Sequence, residues 1–316
     1  MDRNIALDLI RVTEDAAIAT SYWVGKGNKN SADEAAVKMM RARFNSVNVD
    51  GTVVIGEGER DEAPMLYIGE KLGAGGIKVD IAVDPLECTN SVAYGRMNAM
   101  TVLSAAPRGT MLHAPDTYMD KIAVSKDAKN KVSLDADVEY NLTNLAHALG
   151  KKVKDLTVVV LERERHKKLI EDIRKCDARI MLISDGDIAG AIAPSIPGSG
   201  IDILMGIGAA PEGVLAASAL LCLGGYMETR FAFRNDEERK RAKKMGVKKI
   251  DSVMKIKDLV DTDNAIFAAT GVTDGPFLRG VRFTKESIIT HSIVTRSKSK
   301  TFRFIEGYHV HDEVKK

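Results

Sequence analysis

The chain has 316 residues, 45% of them hydrophobic and 28% charged, with a formal net charge of +2. That length exceeds what one compact core usually fills, and the near balance of acid and base leaves no global field to attract nucleic acid. No apolar run approaches the roughly 20 residues of a membrane span, and Met1-Asp2-Arg3-Asn4 does not open a targeting segment, so a soluble, cytoplasmic enzyme with no membrane partner is expected.

Ile5, Leu9, Val12, Ala16, Ala19 and Trp23 alternate steps of four and three, which predicts an amphipathic helix ended by Gly25 and Gly27. Ser31-Ala32-Asp33-Glu34 has the form of a capping box, with Ser31 as N-cap, Asp33 in the first turn and a helix to about residue 45. β-branched runs predict strands at 52–55, 79–83, 100–105, 156–161, 179–183 and 201–205. Helical patterns fill 65–72, 138–149, 166–176 and 212–223. The alternation predicts a layered α/β protein with a domain boundary near residue 150, where the polar stretch 121–137 has given way to a βαβ-like half. Residues 235–244 (NDEERKRAKK) mix both signs at helical spacing and read as a solvated helix face. His309-x-His311 reads as an exposed terminal feature. Cys88, Cys176 and Cys222 are too few and too scattered for a disulfide framework or a zinc knuckle, so any metal would be held by oxygen.

Four of the strands run into acid. In 79–90 (VDIAVDPLECTN), alternation puts Asp80 and Asp84 on one face, and Pro85 is expected to turn the chain. Glu87, Thr89 and Asn90 then lie just past the strand's carboxyl end, where open α/β sheets hold ligands. Asp84 and Glu87, on either side of the proline, suit a hard cation; capping a helix is the plainer alternative. Gly56-Glu57-Gly58-Glu59, Asp185-Gly186-Asp187 and the run from Gly206 to Glu212 follow three other strands. Each alone is an ordinary turn or cap. Together they imply bound metal or an acid/base pair, because clustered carboxylates without cations repel and protonate. Arg163-Glu164-Arg165-His166, after the strand 156–161, offers forked donors matched to phosphate, with surface ion pairing to Glu162 and Glu164 as the alternative. Lys26 and Lys29 lie in the glycine-containing loop before Asp33. Acids for metal and bases for phosphate at strand ends describe a phosphate-ester site. Gly206-x-Gly208-x-x-Pro211 has proline in place of the third glycine of a dinucleotide fingerprint, so NAD is rejected.

On WVGKGNKNSAD (23–33), DGTVVIGEGERDEAPMLYIGE (50–70), VDIAVDPLECTN, SDGD (184–187) and GIGAAPEGV (206–214), the sequence resembles the class II fructose-1,6-bisphosphatases, including the bifunctional fructose/sedoheptulose-bisphosphatases. The likeness spans nearly the whole chain. Asp84-Pro85-Leu86-Glu87-Cys88-Thr89 also resembles the D-P-x-D-G-T signature of the lithium-sensitive phosphatase superfamily. The resemblance implies a layered α/β/α/β/α sugar-phosphatase fold with two intimately packed halves, 1–150 and 151–316, assembled as a homo-oligomer, a dimer or tetramer. It implies Mg²⁺- or Mn²⁺-dependent release of the 1-phosphate of fructose 1,6-bisphosphate, in gluconeogenesis or the Calvin cycle, with sedoheptulose 1,7-bisphosphate as a further substrate.

Carried onto this chain, the resemblance implies Asp33 and Glu57 for one cation and Asp84, Glu87 and Glu212 for the other. Thr89 would position the attacking water, with Glu87 and Asp84 beside it as catalytic groups. Substrate contacts would come from Lys29, Glu87, Cys88, Thr89, Tyr118, Arg163, Glu164, Arg165, Asp185, Gly186, Asp187 and Ala209. Two residues depart from the family pattern: Cys88 stands where glycine is usual, and Ala209 where glycine is expected. Because Asp84, Glu87 and Thr89 are retained around it, Cys88 is expected at negative φ, as a small residue whose backbone N–H still faces phosphate. The alternatives are a phosphatase of the same superfamily acting on inositol or other polyol phosphates, and a sugar-phosphate sensor without turnover.

Overall fold

A computed structural model describes residues 1, 4–56 and 66–310, and the chain divides into two compact units, Met1–Gly109 with Asn264–Lys316, and Thr110–Asp263. The first opens with helices α1 (Ile5–Ser21) and α2 (Lys29–Phe44). Strands β1 (Val49–Ile55), β2 (Lys71–Leu72) and β3 (Ile77–Glu87), the short α3 (Thr89–Ala93) and β4 (Met100–Pro107) follow. The second unit begins with β5 (Tyr118–Val124), α4 (Val138–Leu149), β6 (Thr157–Leu161), α5 (Lys167–Lys175) and β7 (Arg179–Ile183). It continues with α6 (Ile188–Ile192), β8 (Ile203–Ala209), α7 (Ala210–Leu223), β9 (Tyr226–Ala232), α8 (Asp236–Lys244), β10 (Met254–Lys255) and α9 (Ile256–Leu259). The chain then returns to the first unit with β11 (Ile266–Gly271), β12 (Arg282–Phe283), β13 (Ser287–Arg296) and β14 (Thr301–Val310).

The first unit's sheet runs β12-β13-β11-β4-β3-β1-β2, with β14 paired to β13. β11 is antiparallel to β4 along its whole length, so strands from both ends of the chain build one sheet. For this reason the units divide at 109/110 and 263/264 and not near residue 150, where Gly150 is the left-handed C-cap of α4 inside the second unit. On one face of the sheet, Leu9, Val12 and Ala16 of α1 and Val37, Met40 and Phe44 of α2 pack on Val53, Ile81, Val83, Leu103 and Ala268. Each fully buried side chain of this size contributes about 1.5–3 kcal/mol.

The second unit's sheet runs β10-β9-β5-β8-β6-β7. Alternation sends Ile122, Val158 and Val160 to one face, against Leu142 and Leu145 of α4 and Ile170 and Ile173 of α5. Met119, Lys121 and Val159 point to the other, where α6 and α7 lie close. A Cβ on Gly190 of α6 would stand 2.9 Å from Val159 Cγ1, and one on Gly213 of α7 would stand 3.2 Å from Met119 Sδ. The expected mixed α/β architecture is therefore present, with two sheets and their covering helices.

Two local expectations fail. Residues 66–70 form a turn into β2 and not a helix, because the Glu70 carboxylate folds back to accept the Tyr67 N–H and to pair with Arg41. His309 is not a loose terminal residue but part of β14, its Nε2 3.0 Å from Thr290 Oγ1; His311 lies outside the described residues.

Candidate functional site

In the first unit the site residues lie on two segments, the opening of α2 and the junction of β3 with α3. Asn28 Oδ1 accepts the Ser31 N–H at 3.0 Å, so Asn28, among the best capping residues, takes the N-cap place expected of Ser31. Lys29 is then the exposed first residue of α2, and Asp33 falls in the second turn. Asp33 Oδ1 is buried with no hydrogen-bond partner among the described residues, and burial pushes the carboxyl up to about 6. A buried carboxylate oxygen lacking a donor is what a cation would satisfy.

β3 does not stop at Pro85. Its register against β4 slips between Asp84 and Glu87, a bulge that tolerates a residue without an N–H, and Asp84 Oδ1 accepts the Leu86 N–H at 3.1 Å. The turn comes instead at Cys88, the N-cap of α3, at φ 70° and ψ 50°. The expected negative φ is wrong: Cys88 follows the left-handed path that glycine takes without cost, at about 1–2 kcal/mol of strain. Cys88 is 5% exposed and packs with Ala32, Ala36, Leu86 and Val92, so the residue belongs to the core. Glu87 is 2% exposed, whereas Asp84 and Thr89 are half-buried. Glu57 lies outside the described residues, and among the described ones no three His, Cys, Asp or Glu converge as a metal cage. In donor chemistry the acids fit a hard cation.

In the second unit the residues meet around the opening of α7. Tyr118 of β5 is the Cα partner of Ala209 at the end of β8. Ala209 is extended, at φ −71° and ψ 149°, so alanine is unstrained where glycine was expected. Its N–H donates to Glu212 Oε2 at 2.8 Å, and its carbonyl accepts from Lys121 Nζ at 2.8 Å. Lys121 is fully buried and also binds both oxygens of Asp187, at 2.8 and 2.7 Å. Glu212 Oε2 stands 3.9 Å from the same ammonium. Burial first, and the charge of Asp187 second, push Glu212 up to about 7 against the pull of Lys121. Space is tight enough that a Cβ on Gly208 would lie 2.0 Å from Asp187 Oδ2.

Gly186, at φ 59°, makes the turn between Asp185 and Asp187. Arg163 donates to the Ser184 carbonyl at 2.6 Å and lies 3.3 Å from Asp185 Oδ1. Arg165 donates to the Ile207 carbonyl through Nε and Nη2 and stacks over the Tyr118 ring at 4.7 Å, while Arg234 stacks over the same ring at 4.9 Å. Glu164 is different: its side chain is 81% exposed and pairs with Lys167 on the surface. The sequence reading gave no role to Lys121 or Arg234, and named His166 and Gly208 only as members of the runs 163–166 and 206–212. Lys121 carried a signal, since alternation with Met119 puts a lysine on a covered face, and such a lysine needs carboxylates.

Strand-end carboxylates, helix openings and arginines stacked on a tyrosine suit a phosphate-ester hydrolase on an α/β fold. Residues 3–309 match the family described as bacterial fructose-1,6-bisphosphatase, glpX-encoded, and the chain belongs to that family of metal-dependent phosphatases. It is therefore a fructose-bisphosphatase, a phosphoric monoester hydrolase. It is 44% identical over 337 residues to the D-fructose 1,6-bisphosphatase class 2/sedoheptulose 1,7-bisphosphatase of Synechococcus sp. (strain JA-3-3Ab), covering 99% of this chain and 97% of that protein. The protein of the same description from Trichodesmium erythraeum (strain IMS101) is 44% identical over 340 residues, covering 100% of this chain and 99% of its own. None of the described helices is long and apolar enough to cross a membrane.

Proposed function

We propose that the chain hydrolyses the 1-phosphate of fructose 1,6-bisphosphate, consuming water and giving fructose 6-phosphate and inorganic phosphate, and that it also accepts sedoheptulose 1,7-bisphosphate. The match over residues 3–309, with relatives whose descriptions carry both activities, carries the reading. The inositol-phosphate alternative has no comparable support. Asp33, Glu57, Asp84, Glu87 and Glu212 would hold Mg²⁺ or Mn²⁺, which would supply charge neutralisation at phosphate oxygens and a more acidic water. Thr89 orients the attacking water, and Glu87 or Asp84 takes its proton, since a hydroxyl alone is too weak a base.

Arg163 and Arg165 grip the phosphate that does not react, which is why a bisphosphate is preferred, with Tyr118 as the rigid platform beneath Arg165. Lys29, Asp185, Gly186, Asp187, the backbone at Cys88 and the side-chain surface of Ala209 complete the substrate contacts. A homo-oligomeric assembly and a cytoplasmic location belong to the same reading and rest on the resemblance. Phosphate release from fructose 1,6-bisphosphate, sedoheptulose 1,7-bisphosphate and inositol 1-phosphate, measured side by side with Mn²⁺ or Mg²⁺ supplied, tests it. Turnover of the first should exceed that of the last; faster release from inositol 1-phosphate would sink it.

A further inference from the structure

β6 and β8 run side by side in parallel, paired at Val158 with Ile203 and Val159 with Leu204. β6 ends at Leu161, whereas β8 continues to Ala209. Tyr118 through Val124 serve β8 on its other side, so beyond Leu161 the peptide of Ile207 faces an edge with no strand to pair it. Two adjacent side chains fill the gap. The Ile207 N–H donates to His166 Nε2 at 2.8 Å, and the Ile207 carbonyl accepts from Arg165 Nε at 3.1 Å and Nη2 at 2.7 Å.

The partners fix the state of the ring. A backbone N–H only donates, so Nε2 must be bare; the Leu161 carbonyl, 2.7 Å from Nδ1, only accepts, so Nδ1 must carry the proton. His166 is 2% exposed, and its burial, with the Arg165 charge added, disfavours a second proton against the opposing pull of the Leu161 carbonyl, Asp120 and Asp187. The chain also makes room for the ring. Gly206 adopts φ +126°, and a Cβ there would stand 2.9 Å from His166 Nε2.

We infer that His166 is a positioning residue for the phosphatase reaction: as a neutral, Nδ1-protonated imidazole it ties the end of β6 to Ile207 and so sets where Arg165 stands relative to Ala209. Arg165 spends its Nε–H and one Nη2–H on the Ile207 carbonyl, so the three N–H donors that remain are aimed by the position of that one peptide. The same peptide lies two residues before Ala209, where α7 and Glu212 begin. A slack Ile207 would move Arg165, while the opening of α7 keeps its own ties to Lys121 and Glu212. This inference rests on the substrate role proposed above for Arg165 and Ala209.

The test pairs three substitutions with a measurement on the unaltered protein. His166→Phe keeps the bulk and loses both hydrogen bonds; His166→Asn can donate to Leu161 but not accept from Ile207; His166→Gln places a carbonyl oxygen where Nε2 accepts. If Arg165 holds a phosphate that does not react, misplacing it weakens ground and transition states alike. His166→Phe and His166→Asn should therefore raise KM for fructose 1,6-bisphosphate about tenfold, with kcat changed less than about threefold and His166→Gln within about threefold of wild type in both. Equal impairment of Phe and Gln, or a wild-type KM in Phe, would overturn the inference, since a merely space-filling ring predicts no rescue by Gln. In the wild-type protein, ¹⁵N shifts of the His166 ring should show Nδ1 protonated and Nε2 bare at neutral pH. An Nε2-protonated or charged ring would overturn the tie whatever the variants do. Absence of turnover by the wild-type protein would instead overturn the substrate reading, and the ring measurement would still decide the tie.

Discussion

Two helices open where this chain departs from its family, and the departures differ in physical kind. At the start of α3, Cys88 is held at φ 70°, so a side chain occupies a conformation that favours glycine; the residue is buried among Ala32, Ala36, Leu86 and Val92. At the start of α7, Ala209 is extended at φ −71°, and its N–H and carbonyl are taken by Glu212 and Lys121. Glycine at the first place would be a conformational requirement, and at the second only a habit. A family pattern alone does not distinguish them; the backbone dihedral does.

The α7 opening should be the harder of the two to break. Lys121→Met would leave Asp187, 2% exposed, as an uncompensated buried charge, and unfolding stability in urea should fall by about 3–5 kcal/mol. A loss under about 1 kcal/mol would show that the Lys121–Asp187 pair is not what fixes this opening. Acid should loosen the same region next. The Thr117 carbonyl accepts the Ala210 N–H at 2.8 Å, and the Thr117 hydroxyl donates to Glu238 Oε2 at 2.6 Å. Burial works to raise the Glu238 carboxyl, but hydrogen bonds from Arg234 and Thr117 outweigh it and hold the group down to about 2. A depressed carboxyl stabilises the fold above its unfolded value of 4.5 and loses that contribution as pH falls toward about 2. Between those limits the protein should lose on the order of 2–3 kcal/mol that Glu238→Gln does not lose, read from urea midpoints against pH.

The sharpest contrast is smaller and concerns sign. Cys88→Ala keeps the left-handed penalty and removes the packed sulfur, costing about 1 kcal/mol. Cys88→Gly removes the same sulfur but also releases about 1–2 kcal/mol of strain, so glycine should be more stable than alanine at this position. At 209 the order should reverse, with Ala209→Gly costing roughly 0.5–1 kcal/mol through added freedom of the unfolded chain. The four urea curves should show opposite Gly-minus-Ala differences at the two sites, and equal signs would dissolve the comparison.

Much of this was legible before the fold. The β-branched runs placed β1, β3, β4, β6, β7 and β8, and the acids after four of them supplied the candidate site. β2, β5 and β9 to β14 escaped the reading, β5 because its second half falls in the stretch 121–137 read as polar, although β13 carries Ile288, Ile289, Thr290, Ile293, Val294 and Thr295, a run the same rule detects. The domain boundary was not legible, because pairing of β11 with β4 joins chain ends that share no local pattern. Asn28 displaced Ser31 as N-cap because both are good caps and only the backbone chooses between them. The sign of φ at Cys88 and the tie from His166 to Ile207 are likewise tertiary facts, set by where strands end.

The central claim is that carboxylates at these helix openings hold the cations that hydrolyse fructose 1,6-bisphosphate. Mn²⁺-dependent phosphate release by the wild-type protein and by Asp84→Asn, measured with their thermal midpoints, tests it most directly. The wild type should turn over, and Asp84→Asn should lose activity by on the order of a hundredfold or more, beyond the loss usual for groups one step removed from a metal. Its midpoint without metal should be unchanged or raised, since Asn keeps an Oδ1 to accept the Leu86 N–H while one negative charge is removed. Unchanged turnover with unchanged Mn²⁺ dependence in Asp84→Asn would contradict the assignment.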